Sequence, residues 1–99
     1  MAVVWTERAR ADLSEIFQYI AQDNRQAAAR WVGRLIERAE RAAEAPLGGR
    51  VVPEVQREDV REVFLKSYRV IYRVAGQDLR VLTVFEGHRR LRHDDLDDK

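Results

Sequence analysis

Apolar positions along the chain change period twice. Val3-Val4-Trp5 is a short apolar run that reads as a strand. From Thr6 onward, Ala9, Leu13, Ile16, Phe17 and Ile20 recur at spacings of four, three, one and three. That is one face of a helix, predicted over about residues 7–22. Thr6 is placed to accept a free backbone N–H as its N-cap, and Glu7 suits the first turn. Asp23-Asn24 breaks the pattern, and either residue can cap a second helix. Ala28, Trp31, Val32, Leu35, Ile36, Ala39 and Ala43 form its stripe, over about residues 25–45. Arg30, Arg34, Arg38 and Arg41 lie largely outside the stripe, within reach of Glu37 and Glu40. The short link predicts an antiparallel helix hairpin.

Pro46-Leu47-Gly48-Gly49 ends the second helix, and residues 50–59, with Pro53, read as a loop. Three runs rich in Val, Ile, Tyr and Phe follow: Val60–Leu65, Tyr68–Ala75 and Leu79–Phe85. Lys66-Ser67 and Gly76-Gln77-Asp78 are short enough for hairpin turns, and Gly87 ends the last strand. Beyond it the tail, His88 to Lys99, is polar and ends in acids. The predicted order is β-α-α-β-β-β, an α+β fold with the helix hairpin packed on one face of a small, mainly antiparallel sheet.

Pairing Val74 with Leu79 across the second turn sorts the strands into two faces. Val70, Tyr72, Val74, Leu79, Val81, Thr83 and Phe85 share the nearly apolar one, which should receive the helices. Arg69, Ile71, Arg73, Arg80, Leu82 and Val84 share the other, expected to be exposed. This register sets Arg73 opposite Arg80, a repulsion that an anionic partner for that face would relieve. The alternatives are that both arginines fan into solvent, or that the register slips by one.

Length and composition narrow the class. Ninety-nine residues make one domain, 1–99, with a modest core. No apolar run approaches a membrane span, and the opening residues do not read as a signal peptide. The absence of cysteine excludes disulfides, thiolate metal sites and cysteine nucleophiles, and fits a reducing, cytoplasmic setting. Of 18 basic residues, 16 are Arg. Residues 1–60 carry nine Arg against ten acids, residues 61–93 are net +5, and residues 94–99 are net −3. Positive charge therefore collects in the last third, where an anionic partner would be met.

Candidate chemistry is sparse. His88 and His93 are five apart with no cysteine to complete a ligand set, so no metal and no cofactor is expected. No phosphate-binding glycine loop occurs, and Ser14 and Ser67 lack triad partners. Asp12 with Glu15, and Glu37 with Glu40, read as solvated charges on the outer sides of the helices. What remains is Arg69, Arg73, Arg80, His88, Arg89, Arg90 and Arg92. Arginines can hold phosphates bidentately, and His88 can act as a general acid or base. These are parts of a metal-independent RNase and equally of a surface that binds nucleic acid or acidic protein. Composition and spacing do not separate the two.

Three strings carry a resemblance. Val60-Arg61-Glu62-Val63, Tyr68-Arg69-Val70-Ile71-Tyr72-Arg73-Val74 and Val81-Leu82-Thr83-Val84-Phe85-Glu86-Gly87-His88-Arg89 resemble the RelE/ParE superfamily of toxins from type II toxin–antitoxin systems. Trp5, Ala9, Asp12-Leu13, Ile16, Tyr19-Ile20-Ala21, Ala27-Ala28, Pro46-Leu47-Gly48-Gly49-Arg50 and Pro53-Glu54 fit in the same order, covering residues 3–91. The resemblance implies the β-α-α-β-β-β fold and a growth-inhibiting toxin neutralised in a hetero-oligomer by a cognate antitoxin. RelE-like members cut mRNA on the ribosome; ParE-like members poison DNA gyrase. Arg69 and Arg89 match basic positions of the nuclease site, with His88 as a further candidate. However, no tyrosine follows Tyr72, and Arg61 is the one basic residue within Val60–Leu65. The helix hairpin looks ParE-like, so a gyrase poison is favoured over a ribosome-dependent endoribonuclease. The implied target surface is Arg69, Arg73, Arg80, His88, Arg89 and Arg90, and the implied antitoxin surface includes Arg61, Arg69 and Arg73. Arg69 and Arg89 are expected to converge on one exposed anionic-partner surface. The competing expectation is that Arg69 anchors the fold by pairing with Glu62 or Glu86.

Overall fold

The computed structural model describes residues 1–97. β1 (Ala2–Trp5) leads into α1 (Glu7–Ala21) and α2 (Arg25–Ala42). A 3-10 turn at Pro46–Gly48 precedes β2 (Arg50–Val51), β3 (Val60–Leu65), β4 (Tyr68–Ala75) and β5 (Asp78–Glu86), and a second 3-10 turn, His93–Leu96, follows. The strands form one sheet in the order β1-β5-β4-β3-β2. β1 runs parallel to β5, and every other pairing is antiparallel. The fold is α+β in the predicted order. β2 is an addition inside the segment read as loop: Arg50 and Val51 pair with Glu62 and Arg61. No helix is long and apolar enough to cross a membrane among the described residues.

Local chemistry sets the element ends. Thr6 Oγ1 accepts the Ala9 N–H at 3.1 Å, and Asn24 Oδ1 accepts the Ala27 N–H at 2.9 Å, so both helices begin at side-chain caps. Lys66, at φ 53°, and Gly76, at φ 60°, supply the left-handed residue in each hairpin turn. The first turn leaves Leu65 opposite Tyr68, which fixes the β3–β4 register. Gly49 sits where a Cβ would come 2.8 Å from the Glu62 carbonyl, so the chain can enter β2 there only as glycine.

The β4–β5 register holds as predicted from Val74–Leu79 to Tyr72–Val81, with Arg73 opposite Arg80. Then it shifts: Ile71 faces Thr83, Val70 faces Val84 and Arg69 faces Phe85. Leu82 is the extra residue of a β-bulge. The expected faces are therefore wrong beyond Leu82: Val84 joins the helix-side core, and Phe85 joins the opposite face. The reason is β1, which pairs with β5 only as far as Trp5–Val81. Past that point the edge of β5 is served by side chains. Thr6 Oγ1 donates to the Leu82 carbonyl at 3.0 Å, while Asp12 accepts from Thr83 Oγ1 at 2.5 Å and from the Val84 N–H at 2.9 Å. Asp12 is thus a structural acceptor, not the solvated charge its helix position implied. Its burial pushes the carboxyl pKa up despite both donors.

Ala9, Leu35, Ala39, Ala42, Val63, Val70, Tyr72, Leu79, Val81 and Val84 make the core between helices and sheet. The other face is not open, contrary to expectation. Val52, Val60, Ile71, Leu82 and Phe85 form a second buried cluster, covered by Val55, Leu91 and Leu96. The tail read as merely polar thus folds back over the sheet; Asp98 and Lys99, its expected end, lie outside the described residues.

Tyr72 tests the helix-side core. Its side chain has no exposed surface, and its hydroxyl donates to the Pro46 carbonyl at 2.6 Å. Tyr72→Ala should lose about 3–5 kcal/mol of stability through the cavity it leaves. Tyr72→Phe should lose only about 1 kcal/mol, the worth of one hydrogen bond. Denaturant unfolding of both variants checks this, and equal losses would assign the role to the hydroxyl.

Candidate functional site

On the sheet face away from the helices, alternation along β3 and β4 presents Glu62 and Phe64 beside Arg69. Glu62 pairs with Ile71, two positions from Arg69, so the two side chains meet diagonally on one face. Arg69 Nε donates to Glu62 Oε1 at 2.6 Å. Its two terminal nitrogens fork onto Glu54, at 2.8 and 2.9 Å. On the far side of Glu62, Arg50 donates to Oε2 from Nε at 2.8 Å and from Nη2 at 2.5 Å. Glu62 is 1% exposed and Arg69 6%. Carboxylates thus hold the Arg69 charge on both sides, and its pKa is raised, chiefly by the Glu54 hydrogen bonds. In return the Arg69 fork lowers the Glu54 carboxyl to about 2 against a modest desolvation.

Aromatic rings extend the cluster. Arg69 lies 5.4 Å over the Phe85 ring and Arg89 4.6 Å from the same ring, while Arg50 covers Phe64 at 5.3 Å. Arg89 Nη2 then donates to Asp95 Oδ1 at 2.9 Å. Arg8, on α1, reaches that oxygen at 3.2 Å, and the Arg92 N–H meets Oδ2 at 2.8 Å. Asp95 is 1% exposed. Burial pushes its pKa up, but the Arg92 N–H and the Arg89 hydrogen bond outweigh that and leave it lowered.

The predicted residues separate into three groups. Arg69 and Arg89 do converge, on Phe85, but Arg69 is buried and engaged by Glu54 and Glu62. The exposed-surface expectation for it is overturned, and pairing with Glu62 is what the structure contains. Arg61 stands apart, donating to the carbonyls of Glu58, Leu47 and Gly49 and so fastening the segment that leads into β2. Arg73 and Arg80 are half-buried and opposed across β4 and β5. Arg73 has a nearby acid: Asp59 is lowered mainly by its Arg57 hydrogen bond, with the Arg73 charge adding to it. His88 and Arg90 are exposed, just beyond β5. The residues that sequence reasoning missed are Arg8, Arg50, Glu54 and Asp95. The Leu65–Tyr68 turn register was the signal for Glu62, whereas Glu54 and Asp95 arrive from irregular segments with no period to read.

Residues 3–91 match the family model described as the ParE toxin of the type II toxin–antitoxin system, parDE. A Sinorhizobium fredii (strain NBRC 101917 / NGR234) protein carrying the name "Putative toxin Y4kP" is 36% identical over 88 residues, covering 87% of this chain and 88% of that protein. A solved chain of a chromosomal ParDE toxin–antitoxin system from P. aeruginosa superposes with a TM-score of 0.72 at 24% identity. That match covers 87% of this chain and 95% of the other, and shows a shared fold. The chain belongs to the ParE toxin family of type II toxin–antitoxin systems.

Two measurements probe the ion cluster. Arg69→Ala removes the inner partner of buried Glu62 and should cost about 3–5 kcal/mol, lowering the melting midpoint by more than about 10 °C. A midpoint near that of the unaltered protein would return Arg69 to the role of a surface contact. Because the Glu54 pKa is depressed on folding, its contribution is present above the unfolded value of 4.5 and is lost as pH falls towards about 2. Stability measured across that window should fall less steeply for Glu54→Gln than for the unaltered protein.

Proposed function

We propose that this ParE-family chain is the toxin of a toxin–antitoxin pair, silenced by a cognate antitoxin, and that the free form poisons DNA gyrase by binding rather than by cutting RNA. The gyrase reading follows the ParE branch. One observation carries the preference for binding over cleavage. Arg69, which matches a basic position of the nuclease branch, is forked onto Glu54 and hydrogen-bonded to Glu62. A guanidinium so engaged must first break charge-assisted bonds before it can stabilise a developing phosphorane.

The target surface then centres on the turn after β5, where His88 and Arg90 are exposed and Arg89 is partly so, and extends along the sheet to Arg73 and Arg80 towards the other end of β5. Arg69 acts in this surface as the support under Phe85. The antitoxin reaches Arg61 and Arg73 and the outer side of the helix hairpin. A segment that folds as it binds suits such a partner, because it can cover helix and sheet edge together.

Induction of the chain alone, and beside its neighbouring open reading frame, tests both parts. Growth should stop only in the first case, with DNA-damage signalling and gyrase cleavage complexes. Equal growth in both cases removes the toxin reading. Prompt mRNA cuts at codon boundaries, without DNA damage, would replace the poison by the nuclease.

A further inference from the structure

One face of α2 is covered by nothing in the chain. Its inner side sends Leu35, Ala39 and Ala42 into the core, with Trp31 beside them. The opposite side, at spacings of four and three, is Gln26, Arg30, Gly33, Glu37 and Glu40, and all but Gly33 are exposed. Val32 and Ile36, half-buried, border this stripe. Other arginines of the helix are engaged within the chain. Arg25 lies over the Phe17 ring at 5.7 Å, Arg34 over the Trp31 ring at 5.2 Å, and Arg38 Nε donates to the Phe64 carbonyl at 3.2 Å. Arg41 lies to one side of the stripe, towards Arg34 and Arg38.

Arg30, Glu37 and Glu40 have no ion pair or hydrogen bond through their side chains among the described residues. Sequence explains two of these. Arg30 has Gln26, Ala27, Gly33 and Arg34 at distances of three and four, so no acid of its own helix reaches it. Glu40 has Ile36, Glu37, Ala43 and Glu44 there, so it meets like charge and no cation. Gly33 stands at the middle of the stripe. A glycine inside a helix costs stability relative to alanine, and nothing lies within 4 Å of the place its Cβ would take. Packing within the chain therefore gives no reason for it. A helix crossing from outside does, because without a Cβ two backbones can approach at the near end of the usual range of about 8–10 Å between axes.

We propose that this face of α2 is a self-association surface, on which a second copy of the chain docks helix to helix, antiparallel, across a two-fold axis at Gly33. Charge decides both the occupant and the direction. Arg30 precedes Gly33 by three residues and Glu37 follows it by four, about 4.5 and 6 Å along the axis. An antiparallel pair centred on Gly33 therefore sets the Arg30 of each copy beside the Glu37 of the other, twice by symmetry, and Gln26 beside Glu40. A parallel pair would set like charges together at both positions. The 18 residues of α2 offer a contact about 27 Å long, so the dimer is a weak one. This surface goes beyond the toxin assignment and does not rest on it, since association is read on the purified chain. A face so occupied is closed to any segment that covers the outer side of the helix hairpin.

Sedimentation equilibrium of the purified chain, from about 10 µM to 1 mM, should show monomer and dimer exchanging with concentration. Gly33→Leu has open space for its side chain, so it should melt at or above the midpoint of the unaltered chain and stay monomeric throughout. Arg30→Glu and Glu37→Arg should each weaken the dimer by about tenfold, because each sets like charges together at two places. The double variant should restore it. A chain that is monomeric across the whole range overturns the proposal and leaves the face to a partner protein. Dimers of Gly33→Leu, or a double variant as weak as the single ones, would overturn it as well. A Gly33→Leu chain that fails to fold would give the glycine its role inside the monomer and remove the crossing point.

Discussion

A buried carboxylate in the third strand organises this molecule. Glu62 sits almost without solvent between Arg50 and Arg69. An ion in that position costs several kcal/mol to desolvate and is tolerated only with near-complete hydrogen bonding. Its demand fixes Arg69, and the remaining donors of Arg69 fix Glu54, which draws the segment after β2 over the sheet. The Arg69 guanidinium then lies over Phe85, Arg89 stacks on the same ring, and Arg89 holds Asp95 together with Arg8. One line of contacts thus runs from the β2 edge across the sheet to the first helix. Such pairs add little net stability over a well-packed apolar core, so their contribution here is position. They decide which loop and which turn cover the second face.

Most of the architecture was legible because it rests on period and punctuation. The stripe from Ala9 to Ile20, the caps Thr6 and Asn24, and the two hairpin turns each state one local preference, and all agree. What failed was the assumption that alternation continues along β5. The bulge at Leu82 turns Val84 inward and Phe85 outward, and its cause lies far away in sequence. β1 is four residues long, so it leaves part of β5 unpaired, and Thr6 and Asp12 take over the edge. A backbone group deprived of a strand must find another partner. Asp12 was readable only as a polar residue on a helix, since nothing near it in the chain announces Thr83 or Val84.

The candidate site was legible in the same uneven way. Parity placed Arg69 on the face opposite the helices, and chain order placed Arg89 at the end of the neighbouring strand; both positions are correct. Their neutralisation was half visible. Glu62 follows from the β3–β4 register once the Lys66-Ser67 turn is fixed. Glu54 and Asp95 lie in a loop and a 3-10 turn, where three-dimensional position depends on packing of Val52, Val55, Leu91 and Leu96, not on any repeat. An excess of arginine in the sequence therefore marked the right face but not how much of its charge is available.

Internal carboxylates change what an arginine-rich face selects. With bare guanidinium groups it would attract any polyanion through long-range charge, nucleic acid included. Here Glu54, Glu62 and Asp95 already satisfy the inner arginines at hydrogen-bond distance. A weak, diffuse attraction cannot replace bonds of 2.6–2.9 Å, whereas a partner with matching geometry can. Built-in acids thus act as a threshold: they penalise every partner equally in charge and leave shape to discriminate. The threshold is not uniform across the face. Around Arg69 it is set by a strand and a well-covered loop, and breaking it exposes a buried ion. Around Arg89 it is set by a four-residue turn that carries Asp95, an ion no less buried. The same ion chemistry thus holds a strand and a loop at one end of Phe85 and a short turn at the other.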